Sequence, residues 1–278
     1  MIPASVELDR AHFLAVDWSG ALSGERKKIW IAEASGGKLL RLEDGFSRVE
    51  ICDYLAERAQ RDPPIVVGLD FAFSFPAGYL QERGVQTGPA LWATASQDGE
   101  TWLRQCEPPF WGRPLKGNPR LAYEFRATEV ALMAKHRGRP KSVFQIGGAG
   151  AVGTGTVRGL PFLLRLQRAG LAIWPFDDPR LPMVIEIYPR LLTGPLVKSS
   201  RAGRTQIPER FRAGLTMDQF ELVCGSEDAL DAALSALEMD RNRVSFANLP
   251  MPSMSERLEG IIWDPQSMAT ARSGSSRD

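Results

Sequence analysis

A chain of 278 residues, 44% hydrophobic and 24% charged, has ordinary globular composition and enough apolar side chains for a sizeable core. Its formal net charge of +1 excludes a global pull toward nucleic acid or a membrane surface, so any such affinity has to come from local patches. Three scattered cysteines (Cys52, Cys106, Cys224), no CxxC pair and only two histidines, His12 and His136, argue against a Cys/His zinc site and for a reducing compartment.

The opening MIPASVELDR lacks a charged and apolar leader pattern, and no apolar run is long enough to span a bilayer, so the expected address is the cytoplasm, without a membrane partner. Residues 13–16 then read as a short apolar strand ending at Asp17, followed by a Trp18-Ser19-Gly20 turn. Residues 28–32 and 38–42 flank Gly36-Gly37 and predict a hairpin. Apolar residues at helical spacing predict a helix over 46–60, with Ser47 as its N-cap and Pro64 beyond its end. Residues 65–69, nearly all apolar, predict a strand buried on both faces and ending at Asp70. The order is an antiparallel meander, a crossover helix, and a fourth strand parallel to the first.

From 71 to 142 the chain reads as an irregular insertion rich in Pro, Gly and Trp, with one helix over 122–135. Strands are expected at 143–146, 171–174 and 184–187, with a glycine-rich loop at 147–155 leading into a helix over 160–169. Residues 198–214 read as a basic loop and 227–237 as a helix. A polar tail, 272–278, is expected to be disordered, leaving 1–271 as one domain.

Asp17, Asp70 and Glu186 share one context, a carboxylate at or near the end of an apolar strand. An aspartate there often only caps a turn. Glu186, inside Val-Ile-Glu-Ile-Tyr, needs a salt bridge or a metal to justify its burial. Asp228 and Asp231 are three apart on the predicted helix and so lie on one face; Ser226 as N-cap and dipole complementation account for Glu227 and Asp228 but poorly for Asp231. Carboxylates from several strands and one helix suit hard divalent ions, and two Mg²⁺ or Mn²⁺ ions roughly 4 Å apart can serve phosphodiester hydrolysis. With two histidines and no GxSxG, a nucleophile-and-His hydrolase is a weak reading.

The stretches Ala15-Val16-Asp17-Trp18-Ser19-Gly20, Gly68-Leu69-Asp70-Phe71, Phe75-Pro76, Val184-Ile185-Glu186-Ile187-Tyr188-Pro189, Asp228-Ala229-Leu230-Asp231-Ala232-Ala233 and Glu259-Gly260-Ile261-Ile262 occur in this order. In them the chain resembles the family of predicted RNase H-like nucleases (domain of unknown function 429). The resemblance implies an α/β, RNase H-like mixed five-stranded sheet flanked by helices, the large insertion following the fourth strand. It implies catalytic acids at Asp17, Asp70, Glu186 and Asp231, and the paired helix acids look like those of Holliday-junction resolvases. Metal ligands are expected at Asp17, Asp70, Asp228 and Asp231. Two departures stand out, the long insertion and Glu227-Asp228 where the family's look would have His-Asp.

Gly148-Ala149-Gly150-Ala151-Val152-Gly153 spells GxGxxG, but its distance to Asp177 and Asp178 is too long for a dinucleotide fingerprint. Either the loop is structural, or its backbone N–H groups at Gly148 and Gly150 contact a substrate phosphate. Nine Lys/Arg against three Glu between Arg104 and Lys141, interleaved with aromatics, suit single-stranded nucleic acid, with Lys116 and Arg120 as phosphate contacts; a solvated surface would look the same. Arg137-Gly138-Arg139-Pro140 resembles a minor-groove hook in four residues only. The expectation is a metal-dependent nuclease acting on nucleic acid. The alternatives are a non-catalytic RNase H-like shell that binds a metal or a partner, and a phosphotransferase of the actin-like or sugar-kinase class.

Overall fold

The apolar runs assemble into a six-stranded mixed sheet with helices on both faces, in a computed structural model that describes residues 4–114, 116–135 and 139–267. Its strands are β1 (His12–Asp17), β2 (Trp30–Ser35), β3 (Lys38–Glu43), β4 (Ile65–Leu69), β5 (Ala172–Ile173) and β6 (Met183–Glu186), in the order β3-β2-β1-β4-β6-β5. β2 runs antiparallel to both β1 and β3, while β4 is parallel to β1 and β6. The Gly36-Gly37 hairpin is present, both glycines in the left-handed region at φ 61° and 77°. The sheet has six strands rather than the five that the resemblance implies; β5, within the stretch 171–174 read as a strand, pairs at the edge beside β6.

The helices are α1 (Ala4–Arg10), α2 (Arg48–Arg58), α3 (Ala77–Glu82), α4 (Gly88–Gln105), α5 (Ala127–Ala134), α6 (Gly153–Arg168), α7 (Pro189–Thr193), α8 (Arg201–Arg204), α9 (Glu209–Arg212), α10 (Met217–Gly225), α11 (Glu227–Arg241) and α12 (Glu256–Glu259). Ser47 caps α2, as the sequence predicts, and the structure adds a reciprocal box with Glu50. One face of the sheet presents Leu14, Val16, Val67, Leu69 and Val184 to a core shared with α2, α4 and α6. The other presents Phe13, Ala15, Val66 and Ile185 to α11. The small residues Ala229, Ala232, Ala233 and Ala236 are fully buried there and let α11 lie close on the strands. Gly68 of β4 contributes to that closeness: a Cβ on it would meet Met239 Sδ at 2.8 Å and Ile187 Cγ2 at 2.7 Å.

Three expectations are corrected. The insertion is not irregular apart from one helix: α4 fills 18 residues, capped by Thr87 and burying Leu91, Trp92, Ala95 and Leu103. Its tryptophans serve packing, as the Trp92 indole N–H donates to Phe73 O at 2.9 Å. Residues 143–146 form no sheet strand but an isolated bridge between Gln145 and Trp111, with Phe144 stacked on Phe75 in an aromatic cluster. The basic stretch 198–214 folds into the short helices α8 and α9 and their connections. The expected tail at 272–278 and Arg137 and Gly138 of the hook-like tetrapeptide lie outside the described residues.

Candidate functional site

Parallel pairing of Val16 with Leu69 brings the ends of β1 and β4 together, and the Asp70 N–H donates to Val16 O at 3.1 Å. Side chains alternate along a strand, so Asp17 continues the face of Phe13 and Ala15, and Asp70 that of Val66 and Gly68. Both therefore project toward α11. That helix starts at Ser226, whose hydroxyl accepts from the Ala229 N–H at 3.2 Å, and this start sets Asp228 and Asp231 one turn apart opposite the strand ends. The four aspartates form one electrostatic unit. Asp17 is its hub, hydrogen-bonded to the carboxyls of Asp70 and Asp228 and close to Asp231.

Burial and mutual repulsion push the protons onto this group. Asp17 is held well above the usual carboxylate range by burial first, then by Asp70, Asp231 and Asp228. Burial and Asp231 raise Asp70 to about 7, against the pull of its hydrogen bond to Asp17 and of Lys198. Asp231 and Asp228 are raised as well, mainly by burial. Two lysines act on the group: Lys198 Nζ donates to Asp231 Oδ1 at 2.5 Å, with only 11% of its side chain exposed, and Lys28 pulls against the rise of Asp228. Tyr188 borders the cluster, and its hydroxyl is raised by burial and by Asp70 and Asp231.

Glu186 lines the same cleft as Asp70 but is held by other partners. It pairs with Leu69, so its side chain shares the Leu69 face and leaves on the side of the sheet opposite to Asp17 and Asp70. There it forms a bidentate pair with Arg126, Nη2 to Oε1 at 2.5 Å and Nη1 to Oε2 at 2.8 Å, and accepts the Phe73 N–H at 2.9 Å. Arg126 also binds Glu129, at 2.9 Å from Nη2, and donates to Glu259 O at 3.1 Å. The side chains of Arg126, Glu129 and Glu186 are at most 3% exposed. Glu186 is near enough to raise Asp70, but its own charge is compensated.

A cleft of about 610 Å³ opens from Asp70 and Tyr188 toward the start of α6, lined also by Trp18, Lys28, Arg113 and Lys141. Gly148 and Gly150 shape the loop behind this wall, at φ 80° and 73°, without lining the cleft. Lys116 and Arg120 are exposed and stand outside it; Lys116 is tied by its backbone into a turn with Arg113 and Gly112, and the Arg120 N–H donates to Asn118 Oδ1. Sequence reasoning missed Lys198, Arg126 and Glu129, whose roles depend on partners distant in sequence. Asp228 and Asp231, by contrast, were marked by their helical spacing.

Four carboxylates, with Lys198 and Lys28 beside them, have the donor chemistry of a site for a hard divalent cation. Among the described residues, however, no three His, Cys, Asp or Glu side chains stand ready-arranged around a metal position. Compared with family models, with curated proteins and with solved structures, the chain matched none.

Proposed function

We propose that the protein is a metal-dependent nuclease with an RNase H-like core, hydrolysing phosphodiester bonds in nucleic acid. The observation that carries this reading is the convergence of Asp17, Asp70, Asp228 and Asp231 from two strand ends and one helix, with Asp17 at the hub. Topology supports it: the order β3-β2-β1-β4-β6 with β2 alone reversed, and an acid-bearing helix packed over β1 and β2, is the arrangement expected of that core. The raised pKa values support it too, because carboxylates that repel one another gain from a cation between them.

Asp17, Asp70, Asp228 and Asp231 would hold Mg²⁺ or Mn²⁺, with two ions as the full complement. Bound there, the metal would supply Lewis acidity and a water of lowered pKa. Asp17 would be shared across the donor set, while Lys198 orients Asp231 and works against the rise of its pKa. Glu186, clamped by Arg126, would serve as a structural anchor beneath the site. Lys28, Arg113 and Lys141 would attract the phosphate backbone.

The Lys198–Asp231 pair favours one other reading, a non-catalytic shell whose acids are balanced internally. Incubating the pure protein with single-stranded, duplex, hybrid and branched nucleic acids, with Mg²⁺ or Mn²⁺, separates the two. The nuclease reading expects metal-dependent cleavage that Asp17→Asn abolishes while the protein stays folded. No cleavage of any substrate, or undiminished cleavage by Asp17→Asn, gives the site to the shell.

A further inference from the structure

We propose that Lys198 is a tethered competitor of the metal: its ammonium holds Asp231 as a built-in cation, and a divalent ion gains that carboxylate only by displacing it. The proposal rests on the cation-binding half of the reading above and is independent of whether nucleic acid is cut.

The contact is short and enclosed. Lys198 Nζ donates to Asp231 Oδ1 at 2.5 Å, with 11% of the lysine side chain and 16% of the aspartate side chain exposed. Each side chain makes this hydrogen bond and no other among the described residues. The same charge opposes the rise of Asp70 as well as that of Asp231, so its field reaches the strand end and the helix together.

The main chain of the lysine is fixed while its head is not. Lys198 lies between α7 and α8, and Arg204 at the end of α8 donates from Nη1 to Lys198 O at 2.5 Å. The same guanidinium donates from Nε to Cys224 O at 2.9 Å, in α10 just before Ser226, the N-cap of α11. The lysine backbone is thereby tied to the junction from which α11, with Asp231, begins. α8 also packs tightly on the preceding residue: a Cβ on Gly203 would stand 2.1 Å from Val197 O. From this anchor a four-carbon stem carries a point charge on rotatable bonds, able to hold a carboxylate and to release it.

A carboxylate held by a tethered cation is open to an outside ion only in the fraction of molecules where the tether has let go. The apparent affinity falls by that fraction. An ammonium and a divalent ion drawn to one carboxylate also repel each other, which at an effective dielectric of about 20 is worth about tenfold or more in affinity. A monovalent ion offers Asp231 no more charge than the ammonium already does, so the device discriminates in favour of divalent ions. Lys28 supplies the control, because it is exposed, makes no ion pair among the described residues and acts on Asp228 through space alone.

Isothermal titration of Mn²⁺ into protein stripped with EDTA and dialysed tests this at pH 7. Lys198→Met should bind Mn²⁺ about tenfold more tightly than wild type, although it is the less stable protein without metal. A lysine with a merely structural role would move both quantities downward. Lys198→Gln keeps an N–H donor for Asp231 without the charge and should show the same gain, so it carries the test if the methionine variant does not fold. Lys198→Arg, which keeps the charge, should bind no more tightly than wild type, and Lys28→Met should change the affinity by less than about threefold. Equal or weaker Mn²⁺ binding by Lys198→Gln, or no binding by any of these proteins, overturns the competitor. Tighter Mn²⁺ binding without cleavage of any nucleic acid would keep the competitor and remove the nuclease; metal-dependent cleavage with an Mn²⁺ affinity that the charge-removing variants leave unmoved would do the reverse.

Discussion

Arg126→Met removes a guanidinium that makes five hydrogen bonds to Glu129, Glu186 and Glu259 from a fully buried position. All five of its N–H donors are thereby used. The variant leaves Glu186 with the Phe73 N–H alone, in surroundings that exclude water. A buried carboxylate without a cation escapes its desolvation by taking a proton. For a glutamate whose ordinary value in water is about 4.3, this takes about 3.7 kcal/mol at pH 7 and about 1 kcal/mol at pH 5. The loss should therefore be near 4 kcal/mol at pH 7, within the ~3–5 kcal/mol found when one partner of a buried pair is deleted, and much smaller at pH 5. A carboxyl group that must hold a proton to stay folded costs little in acid and more as pH rises, so the penalty grows with pH. Urea unfolding at both pH values reads it, and Glu186→Gln added to Arg126→Met should recover part of the loss at pH 7, Glu129 having lost the same cation. A loss under about 1 kcal/mol at pH 7, or an equal loss at both pH values, would refute the account of Arg126 as the neutralising clamp.

The aspartates carry the opposite perturbation in the wild type. Asp70 is raised to about 7, so its contribution to stability is complete below the unfolded value near 3.8 and disappears as pH rises through about 7. Melting in EDTA should show Tm falling over that window, and Asp70→Asn should flatten the curve. Millimolar Mn²⁺ at pH 7 should raise Tm, by about 2.7 kcal/mol of stabilisation at one hundred times Kd; superimposable melts with and without metal would count against the cation site. Lys198→Met should destabilise the metal-free protein by about 1–3 kcal/mol in urea, since Asp231 loses its charged partner. Ser47→Ala should cost about 1 kcal/mol by opening the α2 capping box, with no change in metal response.

Local signals carried much of this structure. The Gly36-Gly37 turn, the N-cap at Ser47 and the apolar run before Asp70 each act within a few residues, and each is found where its chemistry requires it. Asp228 and Asp231 were legible because three residues on a helix define a face whatever lies opposite. Glu186 was not, because its face follows from the pairing of β4 with β6, and a parallel register joined through an insertion leaves no mark in the sequence. Its partner Arg126 lies 60 residues away, and Lys198 lies 33 residues from Asp231. The helix α4 was hidden for another reason. Its glycines and tryptophans read as loop chemistry, whereas Gly99 lies against Val157 and Trp92 fills the core between α4 and the sheet.

Gly68 sits two residues before Asp70, at the point where Met239 of α11 presses on β4. With no side chain there, the spacing between helix and sheet is a gauge that one methyl group would reset. A Cβ must displace the Met239 thioether or Ile187, and the strain would act about two turns of helix from Asp231. Gly68→Ala would therefore act as a lever: a small shim at the far end of α11 would change the span between Asp231 and Asp17 without touching either acid. The separation of the four aspartates is in this sense tuned from outside their own shell, and a chain that needed a wider or narrower pocket of charge could obtain one by substitution at a position that bears no charge at all.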